Sequence, residues 1–109
     1  MLNTVTEIVT MKWAEGISKE DFIKIIDNLE CQFHSKQDGF IDTELLYDEK
    51  EDFWIMIQHW ASAEQIKAAS KKMFQDPVTE QFRSSIDPKQ IKINVFPILG
   101  KWCYNEVGA

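Results

Sequence analysis

The run Phe53-Trp54-Ile55-Met56-Ile57-Gln58-His59-Trp60 restricts the fold of this chain more than any other segment. It is rich in β-branched and aromatic side chains, and both its odd and its even positions are apolar until Gln58 and His59 interrupt it. A strand of that kind has to be covered on both faces. The rest of the chain must therefore supply one cover, and a ligand, a partner or both must supply the other.

The neighbouring elements follow from periodicity and capping. Thr4 to Trp13 sets Val5, Glu7, Val9, Met11 and Trp13 against Thr4, Thr6, Ile8, Thr10 and Lys12, the period of a first strand. After Gly16, Ser18 and Asp21 form a capping pattern, and Phe22, Ile25, Ile26, Leu29 and Phe33 recur at helical spacing, so a helix is expected over about 19–35. Asp38-Gly39 turns the chain into a second strand, Phe40 to Tyr47. The charged tip Asp48 to Asp52 then joins that strand to Phe53–Trp60 as a hairpin. Ser62 and Gln65 cap a second helix carrying Ile66, Ala69, Met73 and Phe74. Asp76-Pro77 interrupts it, and a restarted helical segment is expected through Val78, Phe82 and Ile86 to Asp87-Pro88. A last strand, Gln90 to Ile98, contains Pro97 and so belongs at a sheet edge or a strand end.

The order β-α-β-β-α-β is that of an α+β, ferredoxin-like fold, a four-stranded antiparallel sheet with helices on one face. If Ile55 and Ile57 point toward the helices, Trp54, Met56, Trp60 and Phe96 are left on the open face. Burying each such side chain contributes about 1.5 to 3 kcal/mol. A second copy of the sheet is the economical cover, so a homodimer is expected, with an aromatic-lined cavity lined by Trp54, Gln58, Trp60, Asn94 and Phe96.

Composition narrows the classes of function. A chain of 109 residues, 44% of them hydrophobic, suffices for one core, so residues 1–109 are expected to form a single domain with a tail over 99–109. The net charge of −6 disfavours nucleic acid and anionic membranes, and Lys71-Lys72 is the sole basic pair. The longest apolar runs, Phe53 to Ile57 and Val95 to Leu99, are too short for a membrane span, and Met1 to Thr4 does not read as the start of a signal peptide. Cys31 and Cys103 lie in no metal-ligand or disulfide spacing, which suits a reducing cytoplasm. No metal site and no cofactor is expected, since no phosphate loop or H-E-x-x-H pattern occurs. Asp48 to Asp52 lacks the spacing of a calcium loop and reads as a solvated tip.

Over about residues 4 to 98 the chain resembles the dimeric α/β-barrel superfamily, and within it the antibiotic biosynthesis monooxygenase-like group. The resemblance is carried by Gly16, by Gly39-Phe40, and by Gln58-x-Trp60 where members commonly have Glu-x-Trp before a capped helix. It implies a cavity between sheet and helices in each subunit, used in the group on polycyclic phenols, quinols or haem. Members often carry a histidine where this chain has Ala69, and the Asn, Trp and His set of the haem-degrading branch finds no match here, which points away from haem breakdown. Cofactor-free oxygenation requires a base to deprotonate a phenol in a dry aromatic site.

His59 is the candidate proton acceptor. Strict alternation places it opposite Gln58 and Trp60, which leaves a hydrogen-bonded structural role open as well. Gln58 and Asn94 can orient a ligand or satisfy a backbone group, and Trp54, Trp60 and Phe96 can serve as core, interface or ligand platform. His34 reads as a helix-terminus charge or a solvated side chain. Trp102 and Tyr104, beyond the last strand, are expected to pack on the partner subunit or close a pocket mouth. Two readings of function result: a small cofactor-independent oxygenase acting on an aromatic or quinol-type substrate, and a dimeric small-molecule-binding or stress-related protein without turnover.

Overall fold

The computed structural model describes residues 4–104 and has the expected topology. Strands β1 (Val5–Met11), β2 (Phe40–Asp48), β3 (Phe53–Trp60) and β4 (Lys92–Pro97) form one antiparallel sheet in the order β2-β3-β1-β4. Pro97 thus lies in an edge strand, where its missing N–H breaks no interior ladder.

Helix α1 (Lys19–Gln32) is opened by Ser18, whose hydroxyl accepts from the Asp21 amide at 3.1 Å. It tightens into a short 3-10 turn, His34–Lys36, so that its last turn departs from the helix expected to Ser35. Helix α2 (Ala63–Met73) is capped by Ser62, whose oxygen accepts from the Gln65 amide at 3.2 Å. Asp76 and Pro77 restart the chain as a 3-10 turn leading into helix α3 (Glu80–Ser84). Ile86 is not helical, contrary to expectation. It forms a β-bridge with Trp13, flanked by Ala14 N to Ser85 O at 2.8 Å and Asp87 N to Lys12 O at 2.9 Å, which ties the segment before β4 to the end of β1.

The facing of β3 corrects the expected parity. Trp54, Met56, Gln58 and Trp60 are buried toward the helices, and Phe53, Ile55, Ile57 and His59 lie on the open face. Register extends this across the sheet. Thr43, Gln58, Glu7 and Val95 form one row on the helix side, whereas Glu44, Ile57, Ile8 and Asn94 form the adjacent row on the open side. The larger side chains of β3 fill the layer between sheet and helices, and the smaller isoleucines are left outside.

Two clusters of buried apolar residues result. One gathers Phe22, Ile26, Leu29, Phe33, Met11, Trp54, Met56, Phe82 and Ile86, and the other Val5, Trp60, Ile66 and Ala69. On the open face Leu46 and Phe96 are 41% and 51% exposed. No helix among the described residues is long and apolar enough to cross a membrane. Trp102 and Tyr104 are exposed, and residues 105–109 of the expected tail, like Met1 to Asn3, lie outside the described residues.

Candidate functional site

Between the sheet and the helices is a cavity of about 320 Å³, bounded by members of both apolar clusters. Its floor is the helix-side face of β1 and β3, and α2, α3 and the residues leading into β4 wall it in. Most of the lining is apolar, including Met56, Ile66, Met73, Phe82 and Ile93. The polar side chains that reach it are few: Glu7, His34, Gln58, Ser70 and Arg83, with the Trp60 indole beside them. Dry walls with a small set of converging polar groups are the usual make-up of a small-molecule site.

Those polar groups are wired together. The Trp60 indole N–H donates to Gln58 Oε1 at 3.2 Å, which fixes the Gln58 amide with its nitrogen pointing the other way. Gln58 Nε2 donates to Thr43 Oγ1 at 3.1 Å, and the Thr43 hydroxyl in turn donates to Glu30 Oε1. The second oxygen of Glu30 lies 2.5 Å from His34 Nδ1. The Glu30 oxygen accepts at that contact, so Nδ1 carries a hydrogen. No side chain of the described residues bonds Nε2. His34 is 5% exposed and borders the cavity, wedged among Phe33, Phe40 and Trp60 with ring centroids 5.1, 5.7 and 6.1 Å away. A histidine whose orientation and tautomer are set by a carboxylate is the arrangement that general bases use.

Glu7 is the second titratable group here. It is 6% exposed, directly opposite Gln58 across the β1–β3 ladder. Burial pushes its carboxyl above the ordinary value of 4.5, and nearby His34 and the Trp60 indole N–H offset that rise only in part. Arg83, on α3, is held by a hydrogen bond from its Nε to Thr79 Oγ1 at 3.0 Å. Thr79 is itself fully buried, its hydroxyl lying 2.5 Å from Met73 O.

Of the residues expected from sequence, Gln58 and Trp60 border this cavity. The other four do not. Trp54 is buried farther along the same face, 4.7 Å from both Phe22 and Tyr47, and its indole N–H has no hydrogen-bond partner among the described residues. Asn94 and Phe96 point to the open face because their β1 partners, Ile8 and Thr6, do so. His59 is on the open face as well, its Nδ1 2.6 Å from Asp42 Oδ1, which gives it a surface partner rather than a place at the cavity. His34, read as a terminal or solvated residue, is the buried one. Its signal in the sequence was the spacing from Glu30 to His34, one helical turn, although Thr43 and Gln58 join it only through the fold. Among the described residues no group of three metal-ligating side chains occurs.

Comparison with known proteins agrees with this architecture. SnoaB, a cofactor-independent oxygenase from Streptomyces nogalater, superposes with a TM-score of 0.71 at 16% identity, over 91% of this chain and 96% of its own. A conserved protein from Methanosarcina mazei gives 0.64 at 12% identity, covering 88% and 93%, and PA3566 from Pseudomonas aeruginosa gives 0.61 at 17% identity, covering 92% and 98%. At such identities these likenesses establish the fold. No curated protein is significantly similar in sequence. The family model for antibiotic biosynthesis monooxygenase matches residues 4–75, from the first strand through the second helix, and the chain therefore belongs to that family.

Proposed function

We propose that this protein is a cofactor-independent oxygenase of fused-ring phenols or quinols, with the cavity between sheet and helices as its active site and His34 as its base. The observation that carries the reading is the Glu30–His34 pair beside a largely apolar cavity that His34 helps to line, and we assign the acceptor role to Nε2. An anthrone serves as the model substrate. His34 Nε2 takes a proton from the methylene carbon, the resulting anion is held among Trp60, Phe82 and Met56, and it gives up electrons to dioxygen. One oxygen atom ends as the new ring carbonyl and the other leaves as water, so anthrone and dioxygen yield anthraquinone and water without an external reductant. Exclusion of water by the apolar walls favours the delocalised anion over its reprotonation by solvent. Gln58 orients the ligand's oxygen or the base through the Trp60–Gln58–Thr43–Glu30 chain.

The homodimer belongs to the same reading. Ile8, Leu46, Ile55, Ile57 and Phe96 form an apolar area on the open face, and a second copy of the sheet is the cover that we propose for it. Residues 1–109 act as one domain, with Trp102 and Tyr104 packing on the partner subunit or closing a pocket mouth, in a reducing compartment where the exposed thiols Cys31 and Cys103 stay free.

Oxygen uptake with anthrone tests the enzymatic reading. It is expected in the wild type, to fall by about a hundredfold or more in His34→Asn, and to persist in His59→Asn. Saturable quenching of tryptophan fluorescence without oxygen uptake identifies a binding protein without turnover instead.

A further inference from the structure

The net charge of the whole chain conceals a division. Residues 1–62 carry five basic and thirteen acidic side chains, whereas residues 63–104, which supply α2, α3 and β4, carry seven basic and four acidic. Two of those four carboxylates, Asp76 and Asp87, are turned back onto the backbone amides of Val78 and Lys89, each at 3.0 Å. The part of the chain that walls the cavity is therefore cationic on a protein that is anionic overall.

That positive charge gathers at the mouth of the cavity. Gln65 packs on Gly39 at the start of β2, and Ile66, Ala69 and Met73 face the cavity. Helical spacing then turns Lys67, Lys71 and Phe74 to the flank of α2 away from β2, toward β4 at the other edge of the sheet. Lys89 follows the cavity-lining Pro88 at the foot of β4. None of Lys67, Lys71, Arg83 and Lys89 forms an ion pair among the described residues. The rim between these cations is apolar and uncovered. Phe74 borders the cavity yet is 73% exposed, and Ile91 and Ile93 border it at 37% and 55%. Val95 continues the row on the helix side of β4. This rim lies on the opposite face of the sheet from the surface assigned to the dimer. Exposed apolar side chains flanked by unpaired lysines suit an anionic bilayer, where the apolar groups enter the acyl boundary and the lysines meet the headgroups.

Resting on the reading of the cavity as a quinol site, we propose that its mouth docks on an anionic membrane surface and takes the substrate from the lipid. That substrate is a fused-ring quinol bearing a long apolar chain. Its rings enter between sheet and helices, and the chain runs out over Ile91, Ile93 and Val95 into the bilayer. A cavity of about 320 Å³ is small for a ligand site, which suits a ring system whose chain stays outside. The chain also keeps such a quinol out of water, so a mouth resting on lipid meets it where it is dissolved.

Flotation with lipid vesicles tests the docking. The wild type is expected to float with vesicles of equimolar phosphatidylcholine and phosphatidylglycerol at low ionic strength, to be released by concentrated salt, and not to float with phosphatidylcholine alone. Each charge near the headgroups is worth a factor of about five, so the double variant Lys67→Glu, Lys71→Glu is expected to lose about a hundredfold or more in partition. Phe74→Ser is expected to lose about tenfold or more. Circular dichroism establishes that both variants are folded. A wild type that does not float, or flotation that either variant leaves intact, overturns the docking and leaves the oxygenase reading, tested on soluble anthrone, in place. Flotation gained only on deleting residues 99–109 overturns it as well and assigns the rim to the tail of a second copy. Oxygen uptake with a decyl-substituted naphthohydroquinone, measured above a protein-free control, is expected to be at least tenfold faster in the anionic vesicles than in the neutral ones. Equal rates overturn delivery from the lipid. Flotation without oxygen uptake on any compound supports the docking surface and removes the oxygenase.

Discussion

Glu7 shows how one side chain can connect stability with chemistry. Its carboxyl is destabilised as an anion by burial, so its folded-state value lies above the unfolded one. Below the unfolded value both states carry the proton and nothing is lost. As pH rises through the folded value the native state must bury a charge or retain a proton that the unfolded chain has released, and stability declines. Glu7→Gln removes that dependence. The variant's thermal midpoint, measured from about pH 4 to about pH 8, is expected to gain on the wild type as pH increases. A constant difference across that range contradicts the buried-carboxyl account. His34 differs in kind, because its role depends on partners drawn from three elements. Glu30 lies one turn earlier on α1, and Thr43 on β2 and Gln58 on β3 donate to that carboxylate. Only the first of these is visible as a spacing in the chain, which is why the sequence suggests a terminal or solvated histidine.

At the scale of elements, two glycines at turns separate two causes of instability. Gly16 and Gly39 have φ of +87° and +86°, a region that side-chain-bearing residues rarely adopt. A Cβ on Gly16 meets nothing within 4 Å, whereas one on Gly39 falls 2.1 Å from Gln65 Oε1 and 2.9 Å from Gln65 Cβ. Gly16→Ala is therefore expected to cost about 1 to 2 kcal/mol, from backbone strain alone. Gly39→Ala costs more, because it also displaces Gln65 at the start of α2, and urea midpoints of the two variants measure the difference. Equal losses contradict the packing of Gln65 on the β2 turn.

Elements of this kind were legible because each carries its own signature: Ser18 and Ser62 as caps, the two-residue alternation of Val5 to Met11, and Asp76-Pro77 as a restart. The facing of β3 was not. Phe53 to Ile57 is apolar at every position, so periodicity cannot say which set meets the helices. That one ambiguity misplaced Trp54 on the open face. It also put Asn94 and Phe96 at a cavity that lies on the other side of the sheet. Ile86 was lost for a related reason, since its apolar side chain fits helical spacing while its backbone bridges to Trp13.

For the whole molecule, the sheet divides two tasks between its faces. The helix side encloses the cavity, and the open side presents Ile57 and Ile8 side by side at the centre of the sheet, flanked by Leu46, Ile55 and Phe96. Ile57→Lys places a charge in the middle of that area without touching the cavity. Sedimentation at micromolar concentration is expected to show a dimer for the wild type and a folded monomer for the variant, and an unchanged dimer rules out the open face as the interface. The separation of the faces also decides where a ligand goes, and a crystal structure of the protein soaked with anthraquinone tests this most directly. The account predicts the rings between sheet and helices, against Trp60 and Met56 with an oxygen near Glu7 and His34. Rings lying on Asn94, Phe96 and His59, on the sheet's other face, would contradict it.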